Sequence, residues 1–442
     1  MNPASRVLRM FVDIEKREVE PALLFFFFWF LIIVVFWVLK PLKTGLFIEH
    51  LGARTELYAK LANIGVAIVA VAVFSWLYDK LGSWRLILAL VTGFTAALLG
   101  FASILGQVGA PPETTNWAFY LFGDAWTTIW VTTFWAYLNE MTQTEQSKRL
   151  YGVIGGGGVI GGLVGTTIVA TSVEAVGTPP LLVAAAVGTV LLAVLAWRIE
   201  ALASKPGGPI GRGREVRIDV AGEEEEKKTN AALDGAKLAF ASKFIFAIVM
   251  IVFLYEFASQ ILDYQFKTAL ETVEGEAATQ GFYANIGVII NSLSVFTQFF
   301  LVAFIIRKFG VTTALLFTPV AMLLSSGLFF VVPALWAAST LTVSDNAFSY
   351  SINQTSRETL FVPTADDVKY KARAFANMFV QRFGKGGAIL VALALPMVPV
   401  RYLSFVAGAV ILAWAGFAWY AGKRFDEETG EEAEERLEEA IS

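Results

Sequence analysis

The sequence predicts an all-α, multi-pass membrane protein of twelve spans, built as two bundles of six. Three observations carry that expectation: apolar runs of membrane length, a regular alternation of basic and non-basic loops between them, and a repeat of short motifs between the halves. Across 442 residues the chain is 56% hydrophobic and only 16% charged. Its mean hydropathy of +0.62 is far above that of a soluble domain.

Apolar runs near 21–46, 57–78, 86–107, 116–138, 151–171 and 180–198 form the first six spans. Runs near 242–267, 282–305, 312–332, 335–354, 375–397 and 402–421 form the second six. Each is long enough to cross a hydrocarbon core of roughly 30 Å. The first, from Pro21 to Leu39, is too long for the apolar part of a signal peptide and lacks a small-x-small cleavage site, so it is expected to remain as a membrane helix.

The loops orient these spans. Arg6, Arg9, Lys16 and Arg17 precede the first span, Lys80 and Arg85 lie between the second and third, and Lys148 and Arg149 between the fourth and fifth. Arg307 and Lys308 follow the eighth, and Lys369, Lys371 and Arg373 follow the tenth. Cytoplasmic loops are the basic ones, so these sides and both termini are expected in the cytoplasm, with the bacterial inner membrane as the location. The intervening loops, such as GQVGAPPETTN (106–116), have no Lys or Arg. A bundle over 1–204 and another over 241–424 are then joined by a linker at 205–240 rich in glycine and in charges of both signs, and followed by an acidic cytoplasmic tail at 425–442.

A duplication is visible. LKTGLF (42–47) ends the first span and FKTALE (266–271) the seventh; DKLGSWRLIL (79–88) follows the second and RKFGVTTALL (307–316) the eighth. Asp124 and Asp345 mark the fourth and tenth spans. Six plus six spans in the same order form a parallel repeat, with an expected pseudo-two-fold axis.

DKLGSWR resembles the loop signature of the major facilitator superfamily, which implies two six-helix bundles that rock to give alternating access. In that resemblance Asp79, Lys80 and Arg85, with Arg307 and Lys308 in the second half, are gating residues at the cytoplasmic side. Three further segments resemble a narrower family, the ATP/ADP translocases of plastids and intracellular bacteria. They are WAFYLFGDAWTTIWVTTFWAYLNEMTQTEQSKRLYG (117–152), YEFASQILDYQFKTAL (255–270) and NQTSRETLFVPTADDVKYKARAFANMFVQRFGKGGA (353–388). The resemblance implies a transporter that binds nucleotides such as ATP and moves them without hydrolysis. It places the family's important charges on Lys43, Asp124, Asp263 and Lys385, with Lys267 beside them. The family commonly has glutamate where this chain has Asp124 and Asp263, and aspartate where it has Asn377.

The residues also have readings of their own. A charge at the centre of a membrane helix costs about 2.5–3.5 kcal/mol on insertion scales, so it is expected to face a cavity and to have a partner or ligand. Arg382 and Lys385, at i and i+3, read either as a clamp for phosphate oxygens or as a structural pair neutralised by Asp345 or Asp124. Asp263 and Lys267, at i and i+4, read either as site residues or as a pair that satisfies itself. Glu256 reads as a proton site or as a counter-charge to the eleventh span. Trp126 and Trp130 offer a stacking surface for a base, or belong to the core. Lys40 reads as an interfacial lysine.

GVIGGGGVIGGLVG (152–165) lacks the terminal Gly-Lys-Ser/Thr of a phosphate-binding loop and reads as a helix-packing face. With no cysteine and a single histidine, His50, the sequence has no thiolate or multi-histidine metal site and no hydrolytic machinery. The expectation is a transporter and not an enzyme, needing no cofactor or metal, probed by a nucleotide or another anionic small molecule, embedded in lipid, monomeric and without a nucleic-acid partner. Two other readings stand beside it: a facilitator-type carrier for a sugar phosphate, organic acid or lipid headgroup, and a non-transporting membrane receptor.

Overall fold

The computed structural model describes residues 16–107, 111–142, 144–204, 210, 242–361, 364, 372–373 and 375–441. Apart from Ile210, the linker at 205–240 lies outside them, as do Lys369 and Lys371. Among the described residues the chain is helical and has no strand. A short 3-10 turn at Lys16–Glu18 leads into α1 (Val19–Leu105), α2 (Glu113–Met141), α3 (Thr144–Val176) and α4 (Thr178–Ala203). After the linker come α5 (Lys243–Leu270), α6 (Glu276–Phe296), α7 (Val302–Val331), α8 (Leu335–Phe348), α9 (Gln354–Thr359), α10 (Gln381–Ala394) and α11 (Leu403–Ile441). Single π-helical turns at Thr297–Leu301, Ser349–Asn353 and Ala376–Val380 join α6 to α7, α8 to α9 and lead into α10.

The 87-residue α1 is not one rod. Gly52 (φ 79°, ψ 159°) and Gly82 (φ 67°, ψ 167°) break it in a backbone region open essentially to glycine alone. Gly310 (φ 82°, ψ 173°) breaks α7 in the same way. Gly82 and Gly310 are the glycines of DKLG and RKFG, so the repeated motif encodes a repeated backbone turn.

Six stretches are long and apolar enough to cross a membrane: Val19–Leu105, Arg149–Val176, Thr178–Ala203, Lys243–Leu270, Glu276–Val331 and Val400–Glu427. The outward surface fits a multi-pass membrane protein, with Ile68, Val69, Trp76, Trp197, Leu324, Val331 and Trp336 all exposed. Such a density of exposed apolar side chains suits lipid and not water. α2 is less apolar because it carries Asp124 and paired threonines. Thr127, Thr128, Thr132 and Thr133 donate to the carbonyls of Gly123, Asp124, Thr128 and Ile129 at 2.7–2.9 Å, which satisfies each hydroxyl within its own helix.

The chain divides into two compact units. Met1–Ala221 with Val273–Val288 forms the first, and Gly222–Thr272 with Ile289–Ser442 the second. In the first unit α1 packs against α2, α3 and α4. The glycines of α3 make that packing possible: a Cβ on Gly157, Gly161 or Gly165 would stand 2.4–2.6 Å from the carbonyl oxygens of Phe26, Phe30 and Val34. The spacing of four puts all three on one helix face, as the packing reading of that run requires. In the second unit α5 packs against α8, α10 and α11, and α7 against α8 and α11.

Candidate functional site

In the first unit the candidate site centres on Lys43. Pro41 lies two residues before it in α1 and removes one rung of the helix ladder. Beside it Gln280 Nε2 donates to the Leu42 carbonyl at 3.2 Å, and the missing Cβ of Gly45 leaves room for the Gln280 side chain, whose Cγ would be 2.5 Å away. Lys43 itself is almost fully buried, and its ammonium donates to the Asp124 carboxylate of α2. Three α2 residues receive it. Tyr120 places its ring 4.2 Å from the ammonium, Gly123 leaves space for the lysine stem, and Asp124 supplies the charge. Lys40 lies 4.5 Å from the Trp37 ring, in keeping with an interfacial lysine.

The second unit holds two pairs. Lys267 and Asp263 pair at 3.1 Å across one turn of α5. Lys385 on α10 meets Glu256 on α5 at 3.3 Å. GKGG brings those helices together: a Cβ on Gly384 would lie 2.7 Å from the Phe253 carbonyl oxygen and 3.1 Å from Glu256 Cβ. Gly384 therefore serves helix packing. Glu256 is the counter-charge to Lys385, and Asp345 is not. Asp345, buried on α8, accepts instead from Tyr255 Oη at 3.2 Å and Ser259 Oγ at 2.6 Å. Arg382 is exposed and has no ion pair among the described residues.

Trp126 and Trp130 are fully buried against Phe28 and Phe94. They form core, and neither presents a face for a base to stack on. The five residues expected to gate are all exposed, and none makes an ion pair among the described residues. Lys80 lies 4.1 Å from the Trp76 ring and Lys308 5.4 Å from Phe304, one turn back in each case. A shallow cleft of about 430 Å³ is lined by Ala303, Phe304, Arg307 and Lys308. Glu140 at the end of α2 anchors the DKLGSWR turn, accepting from Ser83 and from Tyr78.

Sequence reading missed Tyr120, Glu56, Ser259 and Glu140. Tyr120 had a signal, because it precedes Asp124 by one turn on the same face. The other three are recognised only through contacts distant in sequence.

The TLC ATP/ADP transporter family model matches residues 109–424. ADP,ATP carrier protein 2 of Chlamydia trachomatis is 22% identical over 80% of this chain and 78% of its own length. ADP,ATP carrier protein 1 of Rickettsia conorii is 20% identical over 88% of each. Among solved structures, a D-xylose-proton symporter superposes with a TM-score of 0.59 at 15% identity, covering 91% of this chain and 98% of its own. The nucleoside transporter NupG gives 0.56 at 14% identity, covering 92% and 98%. Those superpositions assign the fold of major facilitator transporters. The family match covers well over half of the chain, which therefore belongs to the TLC ATP/ADP transporter family.

Proposed function

We propose that this chain is an alternating-access carrier that exchanges adenine nucleotides, ATP against ADP, across the bacterial inner membrane. It acts as a monomer with twelve crossings and both termini in the cytoplasm. The turns at Gly52, Gly82 and Gly310 support that count, because they divide the apolar runs Val19–Leu105 and Glu276–Val331 into crossings of ordinary length. The bundles are 1–204 and 241–424, with 205–240 as linker and 425–442 as tail.

One observation carries the substrate assignment: lysines placed within membrane helices each pair with a carboxylate, Lys43 with Asp124, Lys267 with Asp263 and Lys385 with Glu256. A carrier without substrate cannot leave such cations bare in a low-dielectric interior, and a resting carboxylate lowers that cost. Phosphate oxygens are stronger multivalent acceptors and replace the carboxylates when the nucleotide arrives. Arg382, exposed one turn before Lys385, adds a planar donor set suited to the same phosphates. No bond is made or broken in the substrate, so gradients alone set the direction of net flux.

Labelled ATP offered to proteoliposomes, with and without internal ADP, tests the proposal. Uptake stimulated by internal ADP is the expected result. If no nucleotide is moved or competes while a sugar phosphate or organic acid is, the carrier reading stands with another anion. Saturable binding with no uptake at all would make the protein a receptor.

A further inference from the structure

We propose that Tyr120 and Glu56 are positioning residues for Lys43, holding its ammonium in place when Asp124 is exchanged for a phosphate. The inference rests on reading Lys43 as an anion-binding residue. Glu56 lies just beyond the Gly52 turn of α1 and is 1% exposed. Tyr120 Oη donates to its Oε1 at 2.8 Å, in a buried contact that fixes the ring between two groups. Phe47 packs against it at 4.8 Å, and the Lys43 ammonium sits 4.2 Å from the ring centre.

Asp124 and Tyr120 are different kinds of partner. Asp124 competes directly with an incoming phosphate, since both accept hydrogen bonds from the same ammonium. The ring attracts the cation through its negative face and takes no N–H from it, so it can stay bound while the acceptor changes. A phenol that donates to a carboxylate is also more electron-rich over its ring, which ties Glu56 to the strength of that attraction. Glu56, Tyr120, Lys43 and Asp124 thus form one connected series of contacts across α1 and α2. Only its last member is exchanged during transport.

The test uses the full-length protein and two readouts. The first is amine-reactive labelling of Lys43 without substrate, read by mass spectrometry. The second is nucleotide uptake, resolved into KM and maximal rate. Glu56→Ala and Tyr120→Leu are expected to speed labelling and raise KM by roughly threefold to tenfold, the scale of a buried cation–π contact. Maximal rate and the amount of protein in the membrane stay within about twofold. Glu56→Gln keeps an acceptor for the phenol but not its charge and is expected to fall between wild type and Glu56→Ala in labelling and KM. Tyr120→Phe keeps the ring volume and gives intermediate values, which covers the case that Tyr120→Leu fails to fold.

Unchanged labelling of Lys43 in both Tyr120→Phe and Glu56→Ala overturns the proposal. Glu56→Gln behaving like Glu56→Ala overturns it as well. Wild-type protein that moves no nucleotide refutes the transport reading, and the labelling series still decides whether Tyr120 and Glu56 position the lysine.

Discussion

The two compact units share a way of packing helices and differ in how they hold their charges. In the first, Gly161 lets α3 approach the Phe30 carbonyl, with 2.6 Å from the glycine's absent Cβ to the oxygen; in the second, Gly384 lets α10 approach the Phe253 carbonyl at 2.7 Å. Both partners lie 223 residues further along, so the duplication is preserved in backbone contacts where side-chain identity has largely gone. Beside those glycines the units part. Ile33 faces Gly161, whereas Glu256 faces Gly384 and pairs with the neighbouring Lys385. Lys43 is held across helices by Asp124, but Lys267, in the matching KT motif, is held within its own helix by Asp263. The first pair ties α1 to α2, whereas α5 has its cross-helix pair at another position, Glu256 with Lys385 of α10. Among the described residues, all the π-helical turns are in the second unit's helices. Such turns are frequent at functional sites. Close packing thus tolerates almost no change, and the charged positions vary because a long side chain can find a different partner.

The largest effect is expected where the units agree. Gly161→Val and Gly384→Val each place methyl groups against a backbone carbonyl that cannot swing away. Both should give little or no monodisperse protein and a collapsed thermal midpoint. Tolerance of one and not the other would show that the two helix contacts are not equivalent. The next effect separates binding from stability. Lys43→Ala and Lys385→Ala should each lower uptake by about a hundredfold, the loss of a charge-assisted contact to phosphate, with expression intact. Their thermal midpoints should differ, because Lys43 is 7% exposed and braced by Asp124 and Tyr120 whereas Lys385 is 52% exposed. Equal uptake at wild-type rates in both variants would remove these lysines from the site.

The sequence made the apolar runs, the glycine turns of DKLG and RKFG and the Asp263–Lys267 pair legible, because each depends on residues close together along the chain. Among the described residues six helical stretches are both long and apolar enough to cross a membrane; α8 and α10 are 14 residues each, bounded by π-helical turns, and α2 carries Asp124 and its threonines. The Lys43–Asp124 and Glu56–Tyr120 contacts join positions 81 and 64 apart, and no local period encodes them. Trp126 and Trp130 show the opposite failure: their i, i+4 spacing fits a stacking face and a buried seam equally, and only packing against Phe28 and Phe94 decides for the seam.

The smallest effect concerns the two matching aspartates. Asp124→Asn removes the charge that competes with phosphate for Lys43 and should lower KM for nucleotide by a few-fold, while the thermal midpoint falls because a buried ammonium is left without its carboxylate. Asp345→Asn meets two hydroxyls and no ammonium among its described partners. An amide can accept from one of Tyr255 and Ser259 and donate to the other once that hydroxyl rotates, so the hydrogen-bond count is kept. Uptake should therefore stay within about twofold of wild type and the thermal midpoint within a few degrees. Because the aspartates occupy corresponding places in the repeat, the pair of variants tests whether an acid acts through its location or through its partner. If Asp345→Asn abolished uptake as fully as Lys43→Ala, location would be decisive, and the divergence of charge between the two units would lose its functional meaning.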